Sequence, residues 1–185
     1  CQWVKTFGSK GNASLRYVYF SSKGQIFLTG FAEEAIHFGG TQLQGSKRAF
    51  SFVSKYGKDG TLIWTKEVIA YDFPVSYFGA MYLTLLESGE FYLTGEFQDS
   101  MHMGNKRLLS QGASDIFIGK YNANGDLLWS KTAGGPNSDS TRSFFPQANG
   151  DYFMLNHFTR STKIAGQTLI HTGNNNGIYI TKNLP

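Results

Sequence analysis

Apolar and polar residues alternate along this chain in short runs such as Ser14-Leu15-Arg16-Tyr17-Val18, Lys55-Tyr56 after Phe50-Ser51-Phe52, and Asp115-Ile116-Phe117-Ile118-Gly119. The runs are rich in Phe, Tyr, Val, Ile, Leu and Thr, and they break at Gly, Asn, Asp and Ser. That is the signature of short strands joined by turns. No stretch sustains apolar residues at spacings of three and four, so the pattern predicts no helix of length.

The strand runs recur. Trp3-Val4-Lys5, Trp64-Thr65-Lys66 and Trp129-Ser130-Lys131 stand 61 and 65 residues apart. The segment Gly24 to Gly30 returns as Gly89 to Gly95, and in weaker form as Gly150 to Asn156, where Thr-Gly is lost. His37-Phe38-Gly39 matches His102-Met103-Gly104, with Lys163 to Leu169 as the third copy, and Phe50–Tyr56 matches Asp115–Tyr121 and then Gly177–Lys182. Four markers in fixed order, three times over, define an internal repeat. Each unit reads as four strands, a to d. In the first, a lies near Leu15–Phe20, b at Gln25–Gly30, c at Phe50–Tyr56 and d at Thr61–Lys66.

The a–b and c–d turns are tight and carry Gly with Ser, Asn or Asp, as hairpins require. The b–c and d–a connections are long, and an up-and-down sheet puts all of them at one edge. The expected binding loops are therefore 31–38, 70–77, 96–103, 133–142 and 157–164.

Units of four antiparallel strands with one long-loop edge predict an all-β fold of β-propeller blades. The residues Gly89-Glu-Phe-Tyr-Leu-Thr-Gly95, Asp115-Ile-Phe-Ile-Gly-Lys-Tyr121 and Asn124-Gly-Asp-Leu-Leu-Trp-Ser-Lys131 resemble the bacterial β-propeller repeat family often described as seven-bladed. The resemblance covers almost the whole chain and implies a fold, and an exported bacterial setting, far more than an activity. On this reading the chain is a single array: 1–7 a lone d strand, 8–66 the first blade, 67–131 the second, and 132–185 a third without its own d strand. Three blades are fewer than the roughly four to eight that close a ring. Two copies exchanging strands into a six-bladed ring, a longer propeller, or a different covering protein would each resolve the count. Cys1 reads either as the acylated terminus of a mature lipoprotein, which would place the protein at an outer membrane or cell surface, or as an ordinary strand residue at a fragment boundary.

Composition narrows the function classes. Charged residues make up 16% of the chain and aromatics another 16%, with 41% hydrophobic overall, which excludes intrinsic disorder. The 17 basic residues outnumber the 13 acidic ones but are scattered, whereas nucleic-acid binders gather them into a patch; no nucleic-acid partner is expected. One cysteine excludes a Cys-based zinc site, and the four histidines show no metal-binding spacing. His37 and His102 are repeat-equivalent and read as structural. Glu33, Glu34, Asp72, Glu96, Asp99 and Asp139 lie on the long-loop edge, where a carboxylate pair could cleave glycosides, though no pairing is defined. Gly134 to Ser140 reads as a connector: it lacks the carboxylates of a calcium loop and the Lys of a phosphate loop.

The aromatic connection Tyr71-Asp72-Phe73-Pro74-Val75-Ser76-Tyr77 is the strongest binding candidate, for a sugar face or a protein partner, with blade packing as the alternative use of its rings. The expectation is a non-catalytic, cofactor-free scaffold that presents Tyr71, Asp72, Phe73, Tyr77, Asp99, Asn137, Asp139, Arg142 and Arg160 to a protein partner, or that self-associates to close the propeller. A carbohydrate-binding or glycan-cleaving propeller is the alternative.

Overall fold

The structure is a computed structural model, and it describes residues 3–47, 49–72, 81–164, 166–173 and 176–183. Among these every regular element is a strand. After β1 (Phe7–Ser9), the first sequence unit supplies β2 (Ala13–Phe20), β3 (Ile26–Glu33), β4 (Ile36–Phe38), β5 (Thr41–Leu43), β6 (Ala49–Tyr56) and β7 (Leu62–Tyr71). The second supplies β8 (Met81–Leu85), β9 (Phe91–Phe97), β10 (Ser100–Met103), β11 (Lys106–Leu109), β12 (Asp115–Tyr121) and β13 (Leu127–Ala133). The third supplies β14 (Asp139–Pro146), β15 (Tyr152–Phe158), β16 (Ser161–Ile164), β17 (Gln167–Ile170) and β18 (Gly177–Lys182).

Three antiparallel sheets form the body. The first runs β2-β3-β6-β7, the second β8-β9-β12-β13 and the third β14-β15-β18. Five tight turns share one closure, in which a glycine of positive φ donates its N–H three residues back: Gly24 to Ser21, Gly60 to Gly57, Gly89 to Leu86, Gly125 to Asn122 and Gly150 to Gln147, at 2.9–3.0 Å. The predicted tight edge is thus built as expected. At Gly60 and Gly125 the choice is doubly constrained, because the Trp3 and Trp64 rings lie where a Cβ would point, 2.8 and 3.1 Å away. A tryptophan from the preceding unit therefore rests on the turn of the next.

The long-loop edge differs from expectation. Each b–c connection contains a hairpin (β4–β5, β10–β11, β16–β17), folded at Gly39-Gly40, Gly104-Asn105 and Gly166. Strand β10 also pairs with the end of β7, Met101 opposite Tyr71 and His102 opposite Ala70, so the first sheet continues into the hairpin of the second unit. Paired with β6 as far as Ala49 opposite Tyr71 and with β10 on its other side, β7 runs past the predicted end at Lys66. Strand β1 meets β4 in the same way, Gly8 opposite His37. The segments read as binding loops at 31–38, 96–103 and 157–164 are mostly strand, and Ile36, Phe38, Met101 and Met103 in them are buried.

The sheets stack face to face. Phe27, Val53, Val68 and Ile69 of the first meet Leu83, Phe91, Leu93, Phe117 and Tyr121 of the second. Phe91 and Tyr121 stack at 5.0 Å, and Trp64 covers Phe91 at 6.2 Å. The second sheet turns Tyr92, Ile116 and Ile118 towards Tyr152 and Met154 of the third, with Tyr92 against Phe144 at 4.8 Å. Each such side chain contributes about 1.5–3 kcal/mol by leaving water. Trp64 and Trp129 pack into these two interfaces, while Trp3 stays 40% exposed.

Candidate functional site at the hairpin edge

Two carboxylates at the hairpin edge sit in opposite environments. Asp72 follows the last residue of β7 and faces the hairpin β10–β11. Its oxygens accept from Ser100 Oγ, His102 Nε2 and Arg107 Nε, each at 2.9 Å, and Lys47 Nζ lies 3.3 Å away. Arg107 first, then Ser100, His102 and Lys47, hold its carboxyl far below the usual carboxylate range. A carboxylate so engaged is a poor base and a good tether. It ties the hairpin of the second unit to the first sheet.

Asp139 opens β14 and is wholly buried. Its Oδ2 accepts from the Gly135 N–H at 2.9 Å, and the Thr162 hydroxyl stands beside the carboxyl. Burial pushes its carboxyl up to about 6, and the neighbouring Asp115 charge adds to the push. Asp115 is buried too, raised by the same desolvation, and accepts from Ser110 Oγ at 3.2 Å and Gln111 N–H at 3.1 Å. The Gly134-Gly135 stretch wraps both: a Cβ on Gly134 would fall 2.4 Å from the Asp115 carboxyl. What reads as a plain connector in the sequence is the clasp around a carboxylate pair.

The other candidates scatter. Tyr71 directs its hydroxyl to Ser51 Oγ at 3.0 Å, and burial raises it, so it serves the sheet. Asp99 and Arg160 are exposed turn residues of positive φ, 52° and 59°. Asn137 donates to Ser161 Oγ at 3.3 Å, bridging to the third hairpin, and Arg142 donates to His157 Nδ1 at 3.3 Å. Cys1, Phe73 and Tyr77 lie outside the described residues. The structure brings Asp72 together with Ser100, His102, Arg107 and Lys47, none of which was singled out as its partner beforehand. It does not bring Asp72 and Asp139 into one centre: each has its own neighbours.

Sequence reasoning also missed a row in the third sheet. Thr141, Asn156 and Tyr179 stand directly opposite one another on β14, β15 and β18. The same row in the first sheet is Leu15, Gly30 and Phe52, and in the second Met81, Gly95 and Phe117. The loss of Thr-Gly at Leu155-Asn156 was the visible signal of this change. Among the described residues, no group of three or more His, Cys, Asp or Glu could hold a metal, and no helix is long and apolar enough to cross a membrane. No known protein family matches the chain, and no curated protein sequence resembles it.

Proposed function

We propose that the chain is a non-catalytic association module, an array of propeller blades that completes its ring against a second copy of itself. One observation carries the reading. Ile178 and Ile180 on β18 are 64% and 71% exposed, whereas their register counterparts Ile116 and Ile118 are fully buried between the second and third sheets. Phe145 and Phe153 widen the same open face. A contiguous apolar face of this kind marks an interaction surface.

The chain itself suggests the occupant. At the opposite end, the first sheet opens a groove of 290 Å³ lined by Trp3, Leu15, Val18, Phe20, Ile26 and Leu28. Ile26 and Leu28 correspond to Phe91 and Leu93, which in the second sheet receive the preceding sheet. The two open faces are therefore the two halves of an interface the molecule already makes twice within itself. Head-to-tail contacts of this sort close into a ring when the rotation allows, and two copies of three blades reach six. Strand β1 beside β4 takes the position that a preceding sheet's last strand takes at β10. The test is the molar mass in solution of the wild type and of Ile180→Asp: a dimer that the substitution dissociates supports the reading.

A polar groove of 710 Å³ supports a second reading. Lys10, Glu34, His37, Gln42, Gln44 and Lys47 line it at the hairpin edge, and such a donor and acceptor set suits a glycan. A glycan array followed by a reducing-sugar assay separates binding from cleavage.

A further inference from the structure

A lysine near the end of β6, β12 and β18 recurs in all three units, as Lys55, Lys120 and Lys182. Each stands opposite an aromatic residue of the neighbouring strand, Phe27, Tyr92 and Phe153. In the second unit Lys120 Nζ lies 5.8 Å over the Tyr92 ring and meets Glu90 Oε2 at 3.1 Å. In the third, Lys182 Nζ meets Asp151 Oδ2 at 2.8 Å. Both carboxylates directly follow a turn glycine, Gly89 and Gly150; after the matching Gly24, the first unit has the neutral Gln25. Lys55 Nζ still lies 5.2 Å over the Phe27 ring, but it forms no ion pair among the described residues. It is also the most buried of the three lysines. Burial disfavours its charged form, and the Lys23 charge pushes the same way. A buried charge without its counter-charge is costly.

The space beside Lys55 is open. A cavity of 250 Å³ lies at the tight-turn edge, between the β2–β3 turn of the first sheet and the β8–β9 turn of the second. Lys55, Lys23, Gln25 and Ser21 line it together. Ser21 Oγ accepts from the Gln25 N–H at 3.0 Å, which leaves its own proton to give. The Gln25 side-chain amide and Lys23 carry no hydrogen bond or ion pair among the described residues. The carboxylate on the lining, Glu87, accepts from Ser22 Oγ at 2.7 Å and pairs with neither lysine. The cavity therefore has spare donors and a net positive charge.

That set calls for an oxyanion. Lysines act as point charges that suit the oxygens of a phosphate, whereas planar carboxylates are matched best by the guanidinium fork. No arginine lines the cavity. Its volume falls just below the roughly 300–1,000 Å³ of sites for drug-sized ligands, so the anion is a small one.

We propose that this cavity binds a small phosphate-class oxyanion, free or at the end of a small phosphomonoester. Lys55 is the anchoring charge, Lys23 the second charge, and Gln25 and Ser21 the neutral donors. The anion fills the role that Glu90 and Asp151 fill in the other two units.

The experiment titrates inorganic phosphate, glycerol phosphate and acetate separately into the whole chain by calorimetry, at neutral pH and constant ionic strength. Thermal unfolding is read at matched concentrations. At about ten times its dissociation constant, phosphate raises the midpoint by about 3–6 °C. Lys55→Met loses both the binding heat and the rise. Gln25→Glu, which installs the second unit's residue, loses them as well, and without phosphate it unfolds above the wild type. Phosphate strengthens burial in any fold by exclusion, so the specific rise is the excess over that in Gln25→Glu. Should Lys55→Met fail to fold, Gln25→Glu still decides the matter. Equal binding of the two phosphates identifies the free anion and tighter binding of the ester a phosphomonoester; both support the proposal. No binding heat in the wild type, equal binding in the wild type and Gln25→Glu, or acetate binding as tightly as phosphate overturns it.

Discussion

The second and third sheets share a strand plan and differ in two places, and the differences teach opposite lessons about burial. On the side away from the first sheet, Tyr92, Ile116 and Ile118 of the second sheet are buried by the third. The corresponding Phe153, Ile178 and Ile180 of the third are left in water. On the side towards the first sheet, the apolar row Met81–Gly95–Phe117 becomes Thr141–Asn156–Tyr179. The third sheet thus shows apolar surface where its neighbour hides it, and hides oxygen where its neighbour packs carbon. The exposed apolar face is the one our reading assigns to a second copy of the chain.

The largest effect should come from placing a charge on each version of the outer face. Ile118→Asp buries an unpaired carboxylate and costs about 4–5 kcal/mol or more, enough to unfold a marginal domain. Ile180→Asp leaves the circular dichroism and unfolding midpoint of the isolated chain unchanged and acts on association alone. Tyr92→Ala against Phe153→Ala repeats the contrast by cavity: about 3–5 kcal/mol for the first, and within about 0.5 kcal/mol for the second in the monomer, read by denaturant titration.

Next comes the pH dependence. Asp139 has a folded value near 6, above its unfolded value, so the folded state holds more protons between about 4 and 6. Stability from this group is present below about pH 4 and is lost as pH rises through 6. Asp72, depressed by Arg107, Ser100 and His102, has the opposite sign: its contribution is present above about pH 4 and is lost on acidification. Asp139→Asn should therefore raise stability at pH 8 relative to the wild type, by on the order of 2–3 kcal/mol. Asp72→Asn should flatten the acid side of the profile instead. If both variants move the same limb, the two carboxylates do not differ as described.

The smallest effect exchanges single hydroxyls between the rows. Phe117→Tyr installs an unpaired hydroxyl in the apolar row and costs about 1–3 kcal/mol. Tyr179→Phe removes a hydroxyl that stands beside Thr162 and should lower stability by about 0.5–1.5 kcal/mol. A gain in stability for Tyr179→Phe would mean that its hydroxyl makes no useful contact.

Period-two patterning and the glycine turns made the strands and the tight edge readable in the sequence, because those signals are local. The hairpins at β4–β5, β10–β11 and β16–β17 were not, because two of the three expected loops carry a Gly beside a short apolar pair that reads equally as loop. Two of them dock on β1 and β7, a long-range pairing, while β16–β17 pairs only within itself among the described residues. Tyr71 and Asp72 were chosen as an exposed aromatic loop, yet Ser51 and the Arg107 cluster draw both inwards. The loss of Thr-Gly at Asn156 was visible, but only the register aligns it with Thr141 and Tyr179. A row across three strands has no sequence signature.

The most direct test of the account is the molar mass of the purified chain, measured by light scattering across a concentration series. Two copies closing one ring predict a mass near twice 20.6 kDa, falling to the single-chain value for Ile180→Asp. A wild-type mass of 20.6 kDa at every concentration would contradict self-association through the open sheet faces.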